Sequence, residues 1–488
     1  MSKKIGGVVA LVAICALSLF LLNCGSSSSR PTGVLYVLTQ VVNGLGNTVS
    51  SFAINLENGA IELVNSNATT CPTSPTQANP IPCGAPLDIL LDPLGATAFV
   101  LNQGVPCVQQ GNQCVASGSS PAIAPSIIPY SVNSDGSLSA PGSPVYWTPC
   151  ASPPCTASTS YPDTAKAMVR DATGQFLFVI DQGSYPPPGY PTPTQTSPSC
   201  PHAPSGPTDM CPSISVFMAT PGSTTLTLAS GSPFFLSKIP TGLSAIAFTP
   251  PGGATGEELL FVSNNEDICS QACIPPSPNN DNTVSVYAVN SSGVLTEQPN
   301  SPYTIQAANP ISVTAVNTNA EGSFSGGVFV YVGNQASGPG AVNPFQLCTV
   351  ENSNCSQADV AANLMVAVTC APAQSCAASG PGYPAVMLVD PTNNFLYVMG
   401  EVSNNVYGYR INTDTGTLAP LAPANQPAGT QPVSMALHPT IDNTGQYLFV
   451  SNSNSDNISS FSLDTTTGAM GVLPITIAPA PPSGMAAH

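Results

Sequence analysis

The chain has 488 residues, of which only 6% are charged, and its formal net charge is −17 at pH 7. Its 53 prolines and 41 glycines exclude a mainly helical protein, because proline cannot sit inside helices and so many loops are needed. A hydrophobic fraction of 42% excludes a disordered chain, and a total of 7 Lys and Arg residues excludes a basic surface for nucleic acid.

The N-terminal segment combines a positively charged start with an apolar run. Lys3 and Lys4 come first, residues 5–22 are almost wholly apolar, and Cys24 follows before a run of serines. This pattern resembles a bacterial lipoprotein signal. It predicts a signal peptide over residues 1–24, lipidation of Cys24 and a Ser-rich tether over residues 25–32.

An uncleaved anchor helix is the alternative for the same segment, because an apolar run of about 18 residues just reaches the length that spans a membrane. Both interpretations place the rest of the chain at the cell envelope. We expect it to be membrane-anchored and extracytoplasmic, on the outer membrane or the periplasmic face.

One strand pattern recurs through the rest of the chain. A first apolar strand ends in Asp or His, a second ends in Phe/Tyr-Val, a third alternates, and a Gly turn leads into a fourth. Second strands are predicted at residues 35–37, 98–100, 177–179, 260–262, 330–332, 396–398 and 448–450. Third strands are predicted at residues 49–54, 127–132, 214–218, 284–289, 341–347, 406–411 and 458–463. Seven repeats of four antiparallel strands predict an all-β, seven-bladed β-propeller over residues 33–488.

The two ends of the chain indicate how such a ring would close. The repeat begins with a second strand at residues 34–38, and residues 483–488 match the first strand at residues 433–438. We therefore expect the C-terminal strand to complete the N-terminal blade, which leaves no open sheet edge.

The cysteines after Cys24 fall into pairs of near neighbours with none left over. The pairs are Cys71 with Cys83, Cys107 with Cys114, Cys150 with Cys155, Cys200 with Cys211, Cys269 with Cys273, Cys348 with Cys355, and Cys370 with Cys376. An even set of clustered pairs predicts small disulfide-closed loops, and such bonds persist in an oxidising compartment.

Three motifs carry a resemblance to a known family. They are Asp-Pro-Thr at residues 390–392, Asn-Thr-Val-Ser-Val-Tyr at residues 282–287 and Asn-Thr-Val-Ser-Ser-Phe at residues 47–52. These motifs look like those of the YVTN family of seven-bladed propellers, which includes the lactonase-like (6-phosphogluconolactonase-type) proteins. The resemblance covers residues 33–488 and is specific for the fold, whereas one fold hosts many functions.

In such a propeller the connections from second to third strands share one face with the connections between blades. In this chain they are long, with insertions at residues 67–85, 103–126, 185–212 and 267–282. We call this side the long-loop face and the other side the turn face. Six of the seven cysteine pairs are predicted on the long-loop face, and only Cys348 with Cys355 is predicted on the turn face.

Polar residues end the second strands on the long-loop face and are the candidate ligand-binding groups. They are Gln40, Asn102, Asp181, Asn264, Asn334, Glu401 and Asn452. A sugar or another polar ligand at the axis would need such convergent donors and acceptors. The alternative, which the sequence favours, is that these side chains bond to nearby backbone, as Asn and Asp do in turns.

Catalytic candidates are few. The resemblance implies His, Arg and Glu around the central cavity, often from a Pro-Arg/His segment that opens the first strand. This chain has other residues at the segments aligned there, residues 242–244, 310–312 and 432–434. The weak candidates for lactone chemistry are Lys166, Arg170, Asp163, Asp181 and Glu401.

Two metal sites are considered and set aside. Cys200, His202, Asp209 and Cys211 have zinc-type spacing, but a disulfide suits an oxidising compartment better. Residues 264–267 with residues 279–282 offer oxygen atoms for calcium without the spacing of a defined calcium loop, so a solvated acidic turn is expected. We expect no metal and no cofactor.

The sequence therefore favours a binding or interaction module that is not catalytic and takes a protein, polar or carbohydrate ligand on the long-loop face. The alternative is a lactonase that hydrolyses a small sugar lactone. Enzyme activity would require a His or Arg side chain at the axial cavity together with a carboxylate. A monomer is expected, attached to the membrane through its N-terminal lipid and without a nucleic-acid partner.

Overall fold

The computed structural model describes residues 33–39, 47–69, 85–103, 107–110, 113–116, 125–146, 165–182, 212–236, 238–248, 257–267, 282–305, 309–318, 327–335, 340–349, 351–369, 378–438 and 446–488. The predicted signal and tether, residues 1–32, lie outside this set. Within the set almost all regular structure is β, as the proline and glycine content indicates.

The strands of the first four blades follow one another along the chain. Blade 1 begins with β1 (Val34–Thr39), β2 (Thr48–Ile54) and β3 (Ile61–Thr69). Blade 2 has β4 (Pro86–Leu91) and β5 (Thr97–Asn102), then a separate hairpin of β6 (Cys107–Gln110) and β7 (Gln113–Ala116), then β8 (Ser126–Ser131). Blade 3 has β9 (Ala165–Arg170), β10 (Phe176–Asp181), β11 (Ser213–Ala219), β12 (Leu226–Leu228) and β13 (Phe234–Phe235). Blade 4 has β14 (Lys238–Phe248), β15 (Glu257–Asp267), β16 (Thr283–Val289), β17 (Leu295–Glu297) and β18 (Tyr303–Thr304).

The remaining three blades and the C-terminal strand complete the ring. Blade 5 has β19 (Pro310–Asn317), β20 (Val328–Asn334), β21 (Ala341–Leu347), the short helix α1 (Gln357–Ala361), β22 (Met365–Ala367) and β23 (Ala378–Ser379). Blade 6 has β24 (Pro384–Val389), β25 (Phe395–Gly400), β26 (Asn405–Ile411) and β27 (Leu418–Pro427). Blade 7 has β28 (Pro432–His438), β29 (Gln446–Asn452), β30 (Asn457–Leu463), β31 (Met470–Val472) and β32 (Thr476–Ile477), and β33 (Pro482–Ala487) follows.

The first strands of the blades form the inner wall of the ring. Each contacts the next in the order β33, β4, β9, β14, β19, β24, β28 and back to β33. Within a blade the strands pair antiparallel, from the first strand outwards. In blade 2, bridges from Ile127 to Val145 and from Val132 to Leu138 stand in for a regular fourth strand. The predicted all-β, seven-bladed propeller is confirmed.

The predicted closure by the C-terminal strand is also confirmed. Strand β33 pairs antiparallel with β1, with Leu35 opposite Ala487 and Val37 opposite Met485. Two further backbone hydrogen bonds join Val34 and His488, at 2.9 and 3.0 Å. The final residues thus supply the first strand of blade 1.

The hydrophobic core is divided among the interfaces between blades. Seven clusters of buried apolar side chains lie one between each pair of neighbouring blades, including the pair formed by blades 7 and 1. The alternation of the strands creates these clusters, because successive side chains point to opposite faces of a sheet. Each blade is therefore held by two neighbours.

Side chains from one blade hold the opening proline of the next. The hydroxyls of Ser483, Thr241 and Ser312 donate to the carbonyls of Pro86, Pro310 and Pro384 at 2.9, 2.8 and 2.5 Å. Gln182 donates to the carbonyl of Pro240 at 2.9 Å in the same way. These bonds fix the start of the inner strands on the long-loop face, which is where an axial site would lie.

Residues 264–267 differ from their prediction as a solvated acidic turn. They belong to β15, which pairs with β14 as far as Lys238 opposite Asp267. The eleven-residue strands of this hairpin extend past the end of the repeat pattern, so the pattern alone placed the turn too early.

One predicted disulfide lies within the described residues. Cys348 and Cys355 are bonded, with a Cα–Cα distance of 5.6 Å, between β21 and α1 on the turn face. Cys107 and Cys114 lie on the two strands of the β6–β7 hairpin, whose side chains are not described. The other five predicted pairs fall outside the described residues and stay predictions.

Helices long and apolar enough to cross a membrane are absent from the described part of the chain.

Candidate functional site

The opening residues of the inner strands share one geometry, which defines the axial site. Pro310 lies opposite Asn334 and Pro384 lies opposite Gly400, and in both blades the register shifts by one residue just after the proline. In blade 3, Ala165 lies opposite Asp181 with the same shift. Lys166 is therefore the residue that immediately follows the opening position of blade 3.

The alignment predicted for residues 242–244 is wrong by two residues. Pro240 lies opposite Asn264, so Pro240 and Thr241 match Pro310 and Ile311. A bulge adds one residue to one strand and shifts every later side chain to the other face, so a pattern of period two cannot locate it. With the correct register, Lys166 occupies the place where the resemblance implies Arg or His.

Lys166 is exposed although it lies on an innermost strand, whereas its neighbours Ala165 and Met168 are buried. Its ammonium is also close enough to Glu401, three blades away, to lower the pKa of that carboxyl, so it lies on the axial side of the wall. The sequence therefore does place a basic group at the axis, in blade 3.

Glu401 is held on the same face by a tight turn in blade 6. It follows β25, and its backbone N–H donates to the carbonyl of Tyr383 at 3.0 Å. The next residue, Val402, donates to the carbonyl of Gly382 at 3.1 Å. These bonds dock the turn on the segment that enters β24, so the backbone that carries the Glu401 side chain is fixed.

Lys166 and Glu401 belong to blades three steps apart in the ring of seven, on opposite sides of the axis. Burial raises the pKa of the Glu401 carboxyl, and the nearby Lys166 ammonium lowers it. The two groups are thus within electrostatic reach across the axial cavity. The structure brings together these two of the five catalytic candidates.

Tyr383 completes this group on the side of blade 6. Burial, followed by the negative charge of Glu401, raises the pKa of its hydroxyl, which therefore stays protonated at neutral pH. A protonated phenol is a hydrogen-bond donor. Sequence reasoning missed Tyr383 because it precedes the strand pattern rather than ending it.

A second carboxyl, Asp88, lies on the inner strand of blade 2 and contacts the inner strand of blade 3 two residues after Lys166. Its Oδ1 accepts from the N–H of Ile89 at 2.8 Å, and its Oδ2 accepts from the N–H of Met168 in blade 3 at 3.4 Å. Burial raises the pKa of Asp88 from 3.8 to about 7, more than the two backbone bonds lower it. Asp88 is partly buried in the wall of the cavity. Its signal in the sequence is its place two residues after Pro86.

The other catalytic candidates lie elsewhere. Arg170 is at the far end of β9, where burial lowers its pKa and the carboxylates Asp171 and Asp92 raise it. Four residues of strand separate it from Lys166 by about 13 Å. Asp181 is fully buried at the end of β10, and Asp163 lies outside the described residues.

The polar residues at the second-strand ends are mostly buried. Asn264 donates to Thr283 and Ser285 at 3.3 and 3.1 Å, and Asn452 donates to Ser459 at 3.0 Å, within their own blades. Asn334 donates to the carbonyl of Val332 at 2.9 Å. Asn102 is fully buried opposite Pro86, and Gln40 lies outside the described residues. A ligand-binding role for this set stays a prediction, and Glu401 is its member at the axis.

Among the described residues, no three His, Cys, Asp or Glu side chains are grouped so that they could hold a metal ion. The axial group consists of an ammonium, a phenol and two carboxyls. Such a set can polarise a carbonyl and activate a water molecule, which are the two requirements of ester hydrolysis.

Comparison with known proteins gives a family match over part of the chain. Residues 349–482 match the model of the family described as Lactonase, 7-bladed beta-propeller. This stretch contains Tyr383 and Glu401 and ends at Pro482, the first residue of β33. No curated protein matches the sequence.

Solved structures with the same fold cover almost the whole chain. A Bacteroides uniformis protein named as a candidate 6-phosphogluconolactonase superposes with a TM-score of 0.54 at 12% identity, covering 93% of this chain and 99% of its own. A Lactobacillus plantarum protein likewise has a TM-score of 0.54 at 12% identity, with 93% of this chain and 99% of its own covered. The periplasmic gluconolactonase of Pseudomonas aeruginosa has a TM-score of 0.51 at 15% identity, with 93% and 98% covered.

At these identities the superpositions establish the fold alone. The fold implied by the repeat motifs is thereby confirmed: the chain forms a seven-bladed β-propeller, and its residues 349–482 are similar to the family described as Lactonase, 7-bladed beta-propeller.

Proposed function

We propose that this protein is a lactonase that hydrolyses a small lactone at its axial cavity. The observation that carries the proposal is the approach of Lys166 from blade 3 and Glu401 from blade 6 to one another across that cavity. The family match supports the same class of reaction. This conclusion replaces the non-catalytic binding module that the sequence favoured.

Lactone hydrolysis adds water to the ring carbonyl and breaks the bond between that carbon and the ring oxygen. Glu401, as the carboxylate, accepts a proton from the attacking water. The Lys166 ammonium stabilises the negative charge that develops on the carbonyl oxygen, with the Tyr383 hydroxyl as a second donor. The ring oxygen leaves as a hydroxyl after receiving the proton, and the product is a hydroxy acid.

We propose that this reaction takes place outside the cytoplasm, with Cys24 as the lipidated anchor. The Cys348–Cys355 disulfide supports an oxidising compartment. The argument from the signal pattern is independent of the axial site, so the anchor and the enzyme activity can be tested separately.

The test is proton release by the full chain in a pH-stat with glucono-δ-lactone, above the rate in buffer. We expect turnover that falls by about 100-fold or more in Lys166→Met and in Glu401→Gln. Lys238→Met is the matched control, because Lys238 lies opposite Asp267 on the neighbouring strand, and its rate should equal that of the native chain. Absence of turnover across a panel of lactones would contradict the proposal and restore the binding module.

A further inference from the structure

The cations available to a substrate at the axis can be counted from the sequence. After Cys24 the chain has five Lys and Arg residues: Arg30, Lys166, Arg170, Lys238 and Arg410. A phosphate ester carries a charge of about −1.5 to −2 at pH 7 and is bound through several charge-assisted hydrogen bonds. A site for a phosphorylated substrate would therefore need several of these five residues.

Two of these five residues interact with groups on the turn face. Arg410 lies over the ring of Phe395, 4.8 Å from its centroid, and donates to the carbonyl of Thr466 at 2.8 Å. Arg170 is half-buried near Asp171 and Asp92 at the turn-face end of β9.

The described residues place neither of the other two beside Lys166. Lys238 lies two residues before Pro240, beyond the opening position of blade 4, where it pairs with Asp267 in the backbone register. Arg30 lies outside the described residues. Lys166 is thus the one Lys or Arg that the described residues place at the axial cavity.

The neighbours of Lys166 are acidic. Glu401 faces it across the cavity, and Asp88 on the inner strand of blade 2 contacts β9 at Met168, two residues after Lys166. One ammonium against two carboxyls leaves the cavity with no net positive charge. A substrate with a phosphate or carboxylate group would bring more negative charge next to these groups, and like charges that are close together repel each other.

From this charge balance we infer that the axial site takes uncharged lactones and rejects those that carry a phosphate or carboxylate. The inference rests on the proposed function for its substrate class. It concerns selection by charge, which the family match leaves open, because proteins named for a phosphorylated and for an unphosphorylated gluconolactone both share the fold.

The test compares binding and turnover at pH 8. Calorimetry with the full chain would use gluconolactam and its 6-phosphate, which are amide analogues that resist hydrolysis. Initial rates would use glucono-δ-lactone and 6-phosphoglucono-δ-lactone. We expect gluconolactam to bind at least about tenfold more tightly than its 6-phosphate. We likewise expect kcat/KM for glucono-δ-lactone to be at least about tenfold higher than for 6-phosphoglucono-δ-lactone.

The matched variants sharpen the comparison. Lys238→Met should leave the ratio of kcat/KM between the uncharged and the phosphorylated lactone unchanged. Asp88→Asn removes a negative charge from the neighbouring inner strand and should bring that ratio closer to one. An equal or higher preference for the phosphorylated members would overturn the inference, and so would failure of both lactams to bind. Binding of the uncharged lactam without hydrolysis of either lactone would uphold the inference and defeat the proposed function.

Discussion

The hydroxyl of Tyr397 in blade 6 donates a hydrogen bond to the carbonyl of Gly468 in blade 7, at 2.9 Å. The same bond joins Tyr331 to Gly416, at 3.1 Å, and Tyr36 to Gly136, at 2.9 Å. In each case a buried tyrosine on a second strand reaches the tight turn between the third and fourth strands of the next blade. The repeat thus contains a polar tie between blades in addition to the apolar clusters.

Removal of this tie should lower stability without changing the fold. Tyr397→Phe leaves the carbonyl of Gly468 buried without its donor, and we expect a loss of about 1 to 3 kcal/mol in the free energy of unfolding. Denaturant unfolding followed by circular dichroism measures this loss in unfolding free energy. Tyr407→Phe, on the neighbouring strand β26, is the control and should change stability by less than about 0.5 kcal/mol.

Ring closure by β33 depends on the close approach of two inner strands. A Cβ atom at Gly484 would lie 2.9 Å from the carbonyl oxygen of Leu87 on β4. We therefore expect Gly484→Ala to lower the thermal midpoint, whereas Ser434→Ala, at the matching position of β28, should leave it unchanged. Deletion of residues 483–488 removes the whole strand and should abolish cooperative unfolding. An unchanged midpoint in the deletion would show that closure does not depend on this strand.

The raised pKa of Glu258 predicts how the stability of the fold varies with pH. It is buried at the start of β15, and burial, with the negative charge of Asp171 second, raises its pKa from 4.5 to about 8. The folded chain therefore binds more protons than the unfolded chain between about pH 4.5 and 8, and stability falls as pH rises through this window. Asp88 acts in the same direction up to about pH 7.

The measurement is the thermal midpoint at pH 5 and at pH 8. The native chain should be more stable at pH 5, and Glu258→Gln should reduce the difference by raising the midpoint at pH 8. Equal midpoints at the two pH values in the native chain would contradict the raised pKa of Glu258.

The disulfide between Cys348 and Cys355 closes a short loop before α1. By loop-closure entropy we expect the double variant Cys348→Ser with Cys355→Ser to lose about 2 to 3 kcal/mol of unfolding free energy. Peptide mapping without reductant should in addition recover the six other neighbour pairs. A bond between cysteines of distant blades would contradict the account of local loops.

The sequence predicted the strands well because their pattern is repeated and strictly alternating. Residues 341–347 form β21 as predicted, and residues 483–488 pair with β1 as the closing strand. The axial site was less predictable. The bulge after each opening residue hides the equivalence of Lys166 with Ile311, and the pairing of Lys166 with Glu401 joins residues more than 200 positions apart. The pKa of Asp88 is raised by burial, which depends on the assembled ring and which no local pattern contains.

The central claim is that Lys166 and Glu401 act together on one lactone, and a double-mutant cycle tests it most directly. The kcat/KM for glucono-δ-lactone would be measured for the native chain, Lys166→Met, Glu401→Gln and the double variant, with Lys238→Met as the control. Groups that act as a unit lose their effects together, so the double variant should be no more than a few-fold slower than the slower single variant. Single variants that are as fast as the native chain would contradict the claim. So would a double variant whose loss in kcat/KM is the product of the two single losses, as is found for two independent sites.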